Sequence, residues 1–316
     1  MMLETAKSPF IKTREKIWGI SSDILIVCAF MIIQAVANYG VRPLIITALS
    51  VITCVLVEIA GNAIFKNSNT LGDLMGIKSG VLLAMILSPA VPFWFPILGG
   101  VIAGIIRWPF LNKGASPFIP AAVSASVLTV AFPNIMFSYI SPGGIFSPIM
   151  LDSTQNAVKS TAGWLMDGRV TPFTYLEEFL GIVPGTIGSS LIALCICGLL
   201  YLILRKAVNW VAAVSFILEC LLIATAFPRG DYGMTMSALN EIMAGSLVFC
   251  GIFFIGDKYT SPKHWGASLI YGLIAGTACM FLRYAGFYEE VCWFVVVIMG
   301  LIAPLLDQFI WRLFKI

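Results

Sequence analysis

The chain has 316 residues, of which 59% are hydrophobic and only 11% charged, against about 25% charged in an ordinary soluble domain. One soluble core cannot hide that much apolar side chain, so the composition predicts an all-α polytopic membrane protein. A net charge of +3 supplies no basic surface for nucleic acid.

In chain order, residues 1–20 form a basic arm carrying Lys7, Lys12, Arg14 and Lys16. No small-residue cleavage site follows it and further apolar runs come at once, so it reads as a cytoplasmic arm rather than a removable signal. A first membrane unit, residues 21–132, holds candidate spans near 21–39, 43–64, 79–95, 97–110 and 117–132. Residues 133–178 are the one long polar excursion. A second unit, 179–316, holds spans near 180–204, 208–227, 240–256, 266–283 and 291–311. Most approach the roughly 20 residues needed to cross a hydrocarbon core; the third, fourth and eighth are short. Pro89, Pro92 and Pro96 forbid one continuous helix through Ser88–Pro96. Non-helical backbone at that depth must be buried in protein or line a cavity.

The two units share a pattern. Ser79-Gly80-Val81-Leu82-Leu83 leads, across the broken turn at 88–96, to Gly100-Val101-Ile102-Ala103-Gly104. Ala244-Gly245-Ser246-Leu247-Val248 leads, across 256–265, to Gly272-Leu273-Ile274-Ala275-Gly276. Five spans per copy would invert the second copy relative to the first, and inverted repeats with interrupted helices place a site between the halves near the midplane. Ordinary helix packing also favours small residues at such spacing. With the N-terminus inside, all of the 19 basic residues except Arg42, Lys159, Arg169, Arg229 and Arg283 fall on the inner side. That bias predicts both termini in the cytoplasm and the 133–178 loop outside it.

Few polar side chains interrupt the spans. Glu58 and Glu219 lie well inside predicted helices and are ion-pathway candidates, because burying a carboxylate is costly; a hydrogen-bonded packing role is the alternative. Asp23, Glu241 and Asp307 lie near span ends, and Asp73 and Asp257 in cytoplasmic turns, where they suit helix capping. His264 reads as a solvated loop histidine, with no second histidine anywhere in the chain to share a metal. The eight cysteines all fall in apolar spans and none forms Cys-x-x-Cys, so they read as small buried apolar residues.

Five short motifs in order resemble one family. They are Ser8-Pro9 in the arm, Leu87-Ser88-Pro89-Ala90-Val91-Pro92-Phe93-Trp94, Gly114-Ala115-Ser116-Pro117-Phe118-Ile119-Pro120-Ala121, Asp257-Lys258-Tyr259-Thr260-Ser261-Pro262 and Pro304-Leu305-Leu306-Asp307. Together they resemble the RnfD component of the Rnf ferredoxin:NAD+ oxidoreductase complex and, more distantly, the NqrB component of the sodium-pumping NADH:quinone reductase. The resemblance implies an electron-transfer subunit of an ion-motive complex (H+ or Na+) in the bacterial plasma membrane. It implies the A, B, C, E and G components of an Rnf-type complex as partners, with iron–sulfur chemistry on those sisters.

The resemblance also implies FMN in the outer loop, joined through its phosphate to a Thr by a flavin transferase. Thr171 stands at that position, with Asp167-Gly168 before it and Pro172-Phe173 after it. Gly168-Arg169-Val170-Thr171 replaces the family's Ser-Gly-Ala-Thr, and the spacing from Asp to Thr is two residues shorter. Arg169 could pair with the phosphate, and the Gly185-Thr186-Ile187-Gly188 turn could offer it backbone N–H groups through Gly185 and Gly188. Where the family has Gly-Ser-x-Gly-Glu, this chain reads Gly185-Thr186-Ile187-Gly188-Ser189 and lacks the Glu. Without flavin, Thr171-Pro172 is an ordinary turn before a helix, and the chain would be a transporter- or channel-like protein of the same inverted-repeat fold.

Overall fold

The computed structural model describes residues 14–64, 74–110, 118–143, 158–169, 171–229 and 234–314. Ser8-Pro9, Asp73, residues 114–117, the tip of the long loop at 144–157 and Val170 lie outside the described residues. Among the described residues the chain is helical, and extended pairing is limited to two isolated bridges, Tyr139 with Val158 and Val208 with Asp257.

The first unit comprises α1 (Arg14–Tyr39), α2 (Arg42–Ile64), α3 (Met75–Ile86), α4 (Trp94–Arg107) and α5 (Pro120–Ala131). The long loop carries two short helices, α6 (Thr161–Met166) and α7 (Tyr175–Leu180). The second unit comprises α8 (Ile192–Leu204), α9 (Trp210–Ala226), α10 (Met234–Met243), α11 (Leu247–Cys250, continued as a π-helix over Gly251–Ile255), α12 (Trp265–Tyr284) and α13 (Cys292–Phe314). Four of these are long and apolar enough to cross a membrane: α1, α2, α12 and α13. The α10–α11 pair, bent by 66°, would make a fifth, and α3, α4, α5, α8 and α9 are shorter apolar helices. The chain is a multi-pass membrane protein.

One expected span starts late. The run near 180–204 becomes helical only at Ile192, and Gly181–Leu191 is a non-helical path. Gly181 stops α7 with a left-handed φ of 71°, which glycine adopts without strain, and Pro184 cannot continue a helical ladder. This stretch is nevertheless almost wholly buried. Its polar backbone is therefore answered by protein rather than lipid.

Two of the short helices are the innermost. Leu82 through Leu87 of α3 and its end are at most 1% exposed, and Leu247–Ile255 is buried throughout. Each of these two helices runs into a buried break, Ser88–Val91 in the first unit and Gly256–Ser261 in the second. Each break is tied to a side chain at the start of the preceding long helix. At the head of α2, Arg42 donates to the carbonyls of Ala90 (3.1 Å) and Val91 (2.8 Å) and covers the Phe93 ring at 5.0 Å. At the head of α9, the Asn209 amide donates to the carbonyl of Pro262 (3.0 Å) and the hydroxyls of Ser261 and Ser268, while its backbone N–H reaches Gly256 (2.8 Å).

The helices after the breaks pack alike as well. A Cβ added at Gly100 of α4 would lie 2.6 Å from the Thr53 hydroxyl and 3.0 Å from the Ser50 carbonyl of α2. At Gly272 of α12 it would collide with the Ser215 hydroxyl and lie 2.6 Å from the Ala212 carbonyl of α9. Both helix pairs thus need glycine for close approach.

Candidate functional site

The long loop begins with a single turn at Pro133–Met136 and then folds back. Tyr139, 1% exposed, pairs with Val158, whose N–H donates to the Tyr139 carbonyl at 2.9 Å. The chain next enters α6 through Ser160, whose hydroxyl accepts from Gly163 N–H (3.0 Å) as an N-cap and donates to Glu289 Oε2 (2.6 Å). Ala162 and Leu165 close on Ala244 in a small core of their own. The loop is therefore seated on the second unit, beside the α12–α13 turn.

Gly168 ends α6 with φ 70°. Its N–H donates to the Leu165 carbonyl and Arg169 N–H to the Trp164 carbonyl, both at 3.0 Å, which is a Schellman stop. Asp167 forms an ion pair with Lys159 at the surface, where such a pair contributes little stability. Beyond the stop comes Thr171, and three residues later Thr174 starts α7 with a capping box. There Thr174 N–H donates to Glu177 Oε2 at 2.9 Å. Thr171 is thus the hinge residue between two capped helices. It is 9% exposed and lies beside Glu178, whose carboxyl burial pushes up from its ordinary value while Thr171 opposes part of that push. Sequence reasoning passed over Glu178; the capping box would have placed it on the inward face of α7, one turn from Thr171.

Gly185 and Gly188 are engaged with protein. The N–H groups of Ile187, Gly188 and Ser189 donate to the carbonyls of Leu87 (2.9 Å) and Met85 (2.9 and 3.2 Å), which the end of α3 would otherwise leave unpaired. A Cβ at Gly188 would collide with Met85 Sδ, and one at Gly185 with Ser190 Oγ. Asn38 and Tyr39 at the end of α1 hold the same stretch through the carbonyls of Gly181 (3.0 Å) and Val183 (2.8 Å). The space beside Gly168 is different: nothing lies within 4 Å of an added Cβ, and Arg169 next to it is exposed. The Gly168–Arg169 side is thus open, whereas the Gly185–Gly188 stretch caps α3.

The two intramembrane carboxylates sit on different helix pairs. Glu58, 2% exposed, faces Arg107 at the end of α4 through two contacts of 3.3 and 3.2 Å. Glu219, half-buried, lies on α9 against the Gly276 step of α12. The pairings of other buried charges escaped sequence reasoning because the partners are far apart in the chain. Lys78 meets Asp257 at 2.8 Å, Arg283 meets Glu241 at 3.1 Å, and Glu290 accepts Ser246 N–H at 2.9 Å as a cap for α11.

Glu289 ties the loop to the membrane unit and carries a pH dependence. Burial pushes its carboxyl from 4.5 up to about 7, with the Ser160 hydroxyl opposing. The folded state therefore holds a proton that the unfolded chain has released. The stability it contributes is complete below about pH 4.5 and is lost as pH rises to about 7, at most about 3 kcal/mol. Limited proteolysis of the loop should accordingly quicken across that window in the native chain and stay flat in Glu289→Gln.

A family model described as the NQR2, RnfD, RnfE family matches residues 4–313. The chain is 26% identical over 312 residues to the D component of the proton-translocating ferredoxin:NAD(+) oxidoreductase complex of Clostridium ljungdahlii, covering 96% of this chain and 93% of that protein. It is 27% identical over 316 residues to the D component of the Na(+)-translocating ferredoxin:NAD(+) oxidoreductase complex of Acetobacterium woodii, covering 97% and 93%. It is also 27% identical over 265 residues to the D component of the ion-translocating oxidoreductase complex of Halorhodospira halophila, covering 76% and 74%. The motif series, the broken helices and the end-to-end match agree: this chain belongs to the NQR2, RnfD, RnfE family.

Proposed function

We propose that this chain is the membrane electron-transfer subunit of an Rnf-type ferredoxin:NAD+ oxidoreductase complex, with FMN held by a phosphoester to Thr171. The observation that carries the reading is the place of Thr171. It is held between the Gly168 helix stop and the Thr174 capping box, three residues from the open space at Gly168 and two from the exposed Arg169. A bound flavin supplies one- and two-electron redox chemistry. The residues of this chain position it: Arg169 offers charge to a phosphate, and Asp167 and Gly168 set the turn. Burial raises the Glu178 carboxyl above its ordinary value, which lessens its opposition to a neighbouring phosphate.

The role places the chain in the plasma membrane, with the A, B, C, E and G components of the complex as partners and a flavin transferase for maturation. Its frame is two inverted five-helix units, α1–α5 and α8–α13 with α10–α11 counted as one span. The like-placed breaks and the Gly100 and Gly272 steps support that symmetry. Relatives named for protons and for sodium match about equally well, so the coupling ion is left as H+ or Na+. Glu58 and Glu219 are its candidate path, and the Arg107 partner of Glu58 means that any proton or cation there must first displace a guanidinium.

Two experiments test the proposal. Membranes lacking the chain should lose ferredoxin-dependent NAD+ reduction, and the native chain should restore it; undiminished activity in the deletion would refute the subunit role. A reporter fused after Ile316 should be cytoplasmic and one inserted near Ser153 external. The same side for both would refute the topology.

A further inference from the structure

At the end of α12 opposite the long loop, a cavity of about 530 Å³ opens between the end of α8, the head of α9 and the segment after the second break. Its rim carries Lys206, Lys258 and Lys263, with Trp210 and Trp265 beside them and Asn209 on its wall. The lysines are gathered by the main chain. Lys258 Nζ donates to the Lys206 carbonyl at 2.8 Å, and Lys263 Nζ donates to the Lys258 carbonyl. The neighbouring acids have other donors: Asp257 takes Lys78, and Asp307 takes the N–H groups of Lys263 and His264 at 2.9 and 3.2 Å.

Lys206 is itself unusual, a non-glycine residue at φ 55° in the stop of α8. Glycine would be cheaper there by about 1 kcal/mol, and strain of this kind concentrates at functional positions. The surroundings are those of a membrane interface. Trp210 and Trp265 are 52% and 64% exposed, and Leu200 and Leu204, one turn apart on α8, are also exposed. Tryptophan settles at the headgroup level of a bilayer.

We propose that this cavity binds the headgroup of an anionic membrane phospholipid. The phosphodiester lies against Lys206, Lys258 and Lys263, and the acyl chains run past Trp210 and over Leu200 and Leu204. Each lysine near an anionic headgroup contributes about 1 kcal/mol, so the three together distinguish anionic from zwitterionic lipid by roughly a hundredfold.

The test is native mass spectrometry of the full chain released from membranes, titrated with phosphatidylglycerol, phosphatidylcholine or inorganic phosphate. One phosphatidylglycerol should be retained in preference to phosphatidylcholine. K206S/K258S/K263S should bind it roughly a hundredfold more weakly, K206R/K258R/K263R should keep it, and K7S/K12S/K16S in the arm should leave it unchanged. Equal retention of both lipids, undiminished binding by the serine variant or an equal loss in the arm variant would overturn the proposal. Displacement by millimolar inorganic phosphate would instead make this a soluble-anion site and overturn the lipid assignment. The arginine variant separates loss of charge from loss of fold.

Discussion

Asp257→Asn should destabilise the protein by about 3–5 kcal/mol, the usual effect of removing one partner from a buried ion pair. Asp257 and Lys78 meet at 2.8 Å with side chains only 4% and 10% exposed. They join the break of the second unit to the first turn of α3 in the first. Asp257 also shapes its own turn by accepting the N–H groups of Tyr259 (3.2 Å) and Thr260 (3.3 Å). Asparagine would keep part of that turn but leave the Lys78 ammonium without its counter-charge. Lys78→Met together with Asp257→Asn should therefore recover most of the loss. Thermal unfolding of the detergent-solubilised chain, followed by the fraction remaining monodisperse, reads the effect. A single mutant as stable as the native chain, or a double mutant as poor as the sum of the singles, would mean that the pair does not couple the units.

Thr171→Ala should remove all covalent flavin while leaving the fold intact. The hydroxyl is the only group the substitution deletes from the proposed linkage, and a single side-chain hydrogen bond contributes only about 1 kcal/mol. Thr171→Ser keeps an ester-forming oxygen and should retain the fluorescent band on a denaturing gel when a flavin transferase is co-expressed. A band surviving in the alanine variant would place the flavin elsewhere in the chain.

Long apolar runs made α1, α2, α9, α12 and α13 legible in the sequence, because a stretch of that length has few other fates. The breaks were legible too: Pro89 and Pro92 disqualify a helix, and Asp257–Pro262 carries the turn residues that end one. The late start of α8 was not legible. Leu180 through Val183 is as apolar as a span, and only the carbonyls at the end of α3, about 100 residues earlier, explain why Ile187–Ser189 turns instead. For the candidate site, Asp167, Gly168 and Thr171 were legible as a motif, whereas the packing of Gly185 against Ser190 and of Gly188 against Met85 left no sign in the local sequence. Buried pairs such as Lys78–Asp257 left no spacing signal at all, since the fold alone brings such residues together.

The most direct test of the flavin assignment is the intact mass of the chain purified after co-expression with a flavin transferase. The expected value is the mass of the polypeptide plus one FMN less one water, with the addition carried by a single peptide that contains Thr171. An unmodified mass for both the native chain and Thr171→Ala would contradict the assignment, and would leave a flavin-free, transporter-like member of the same family.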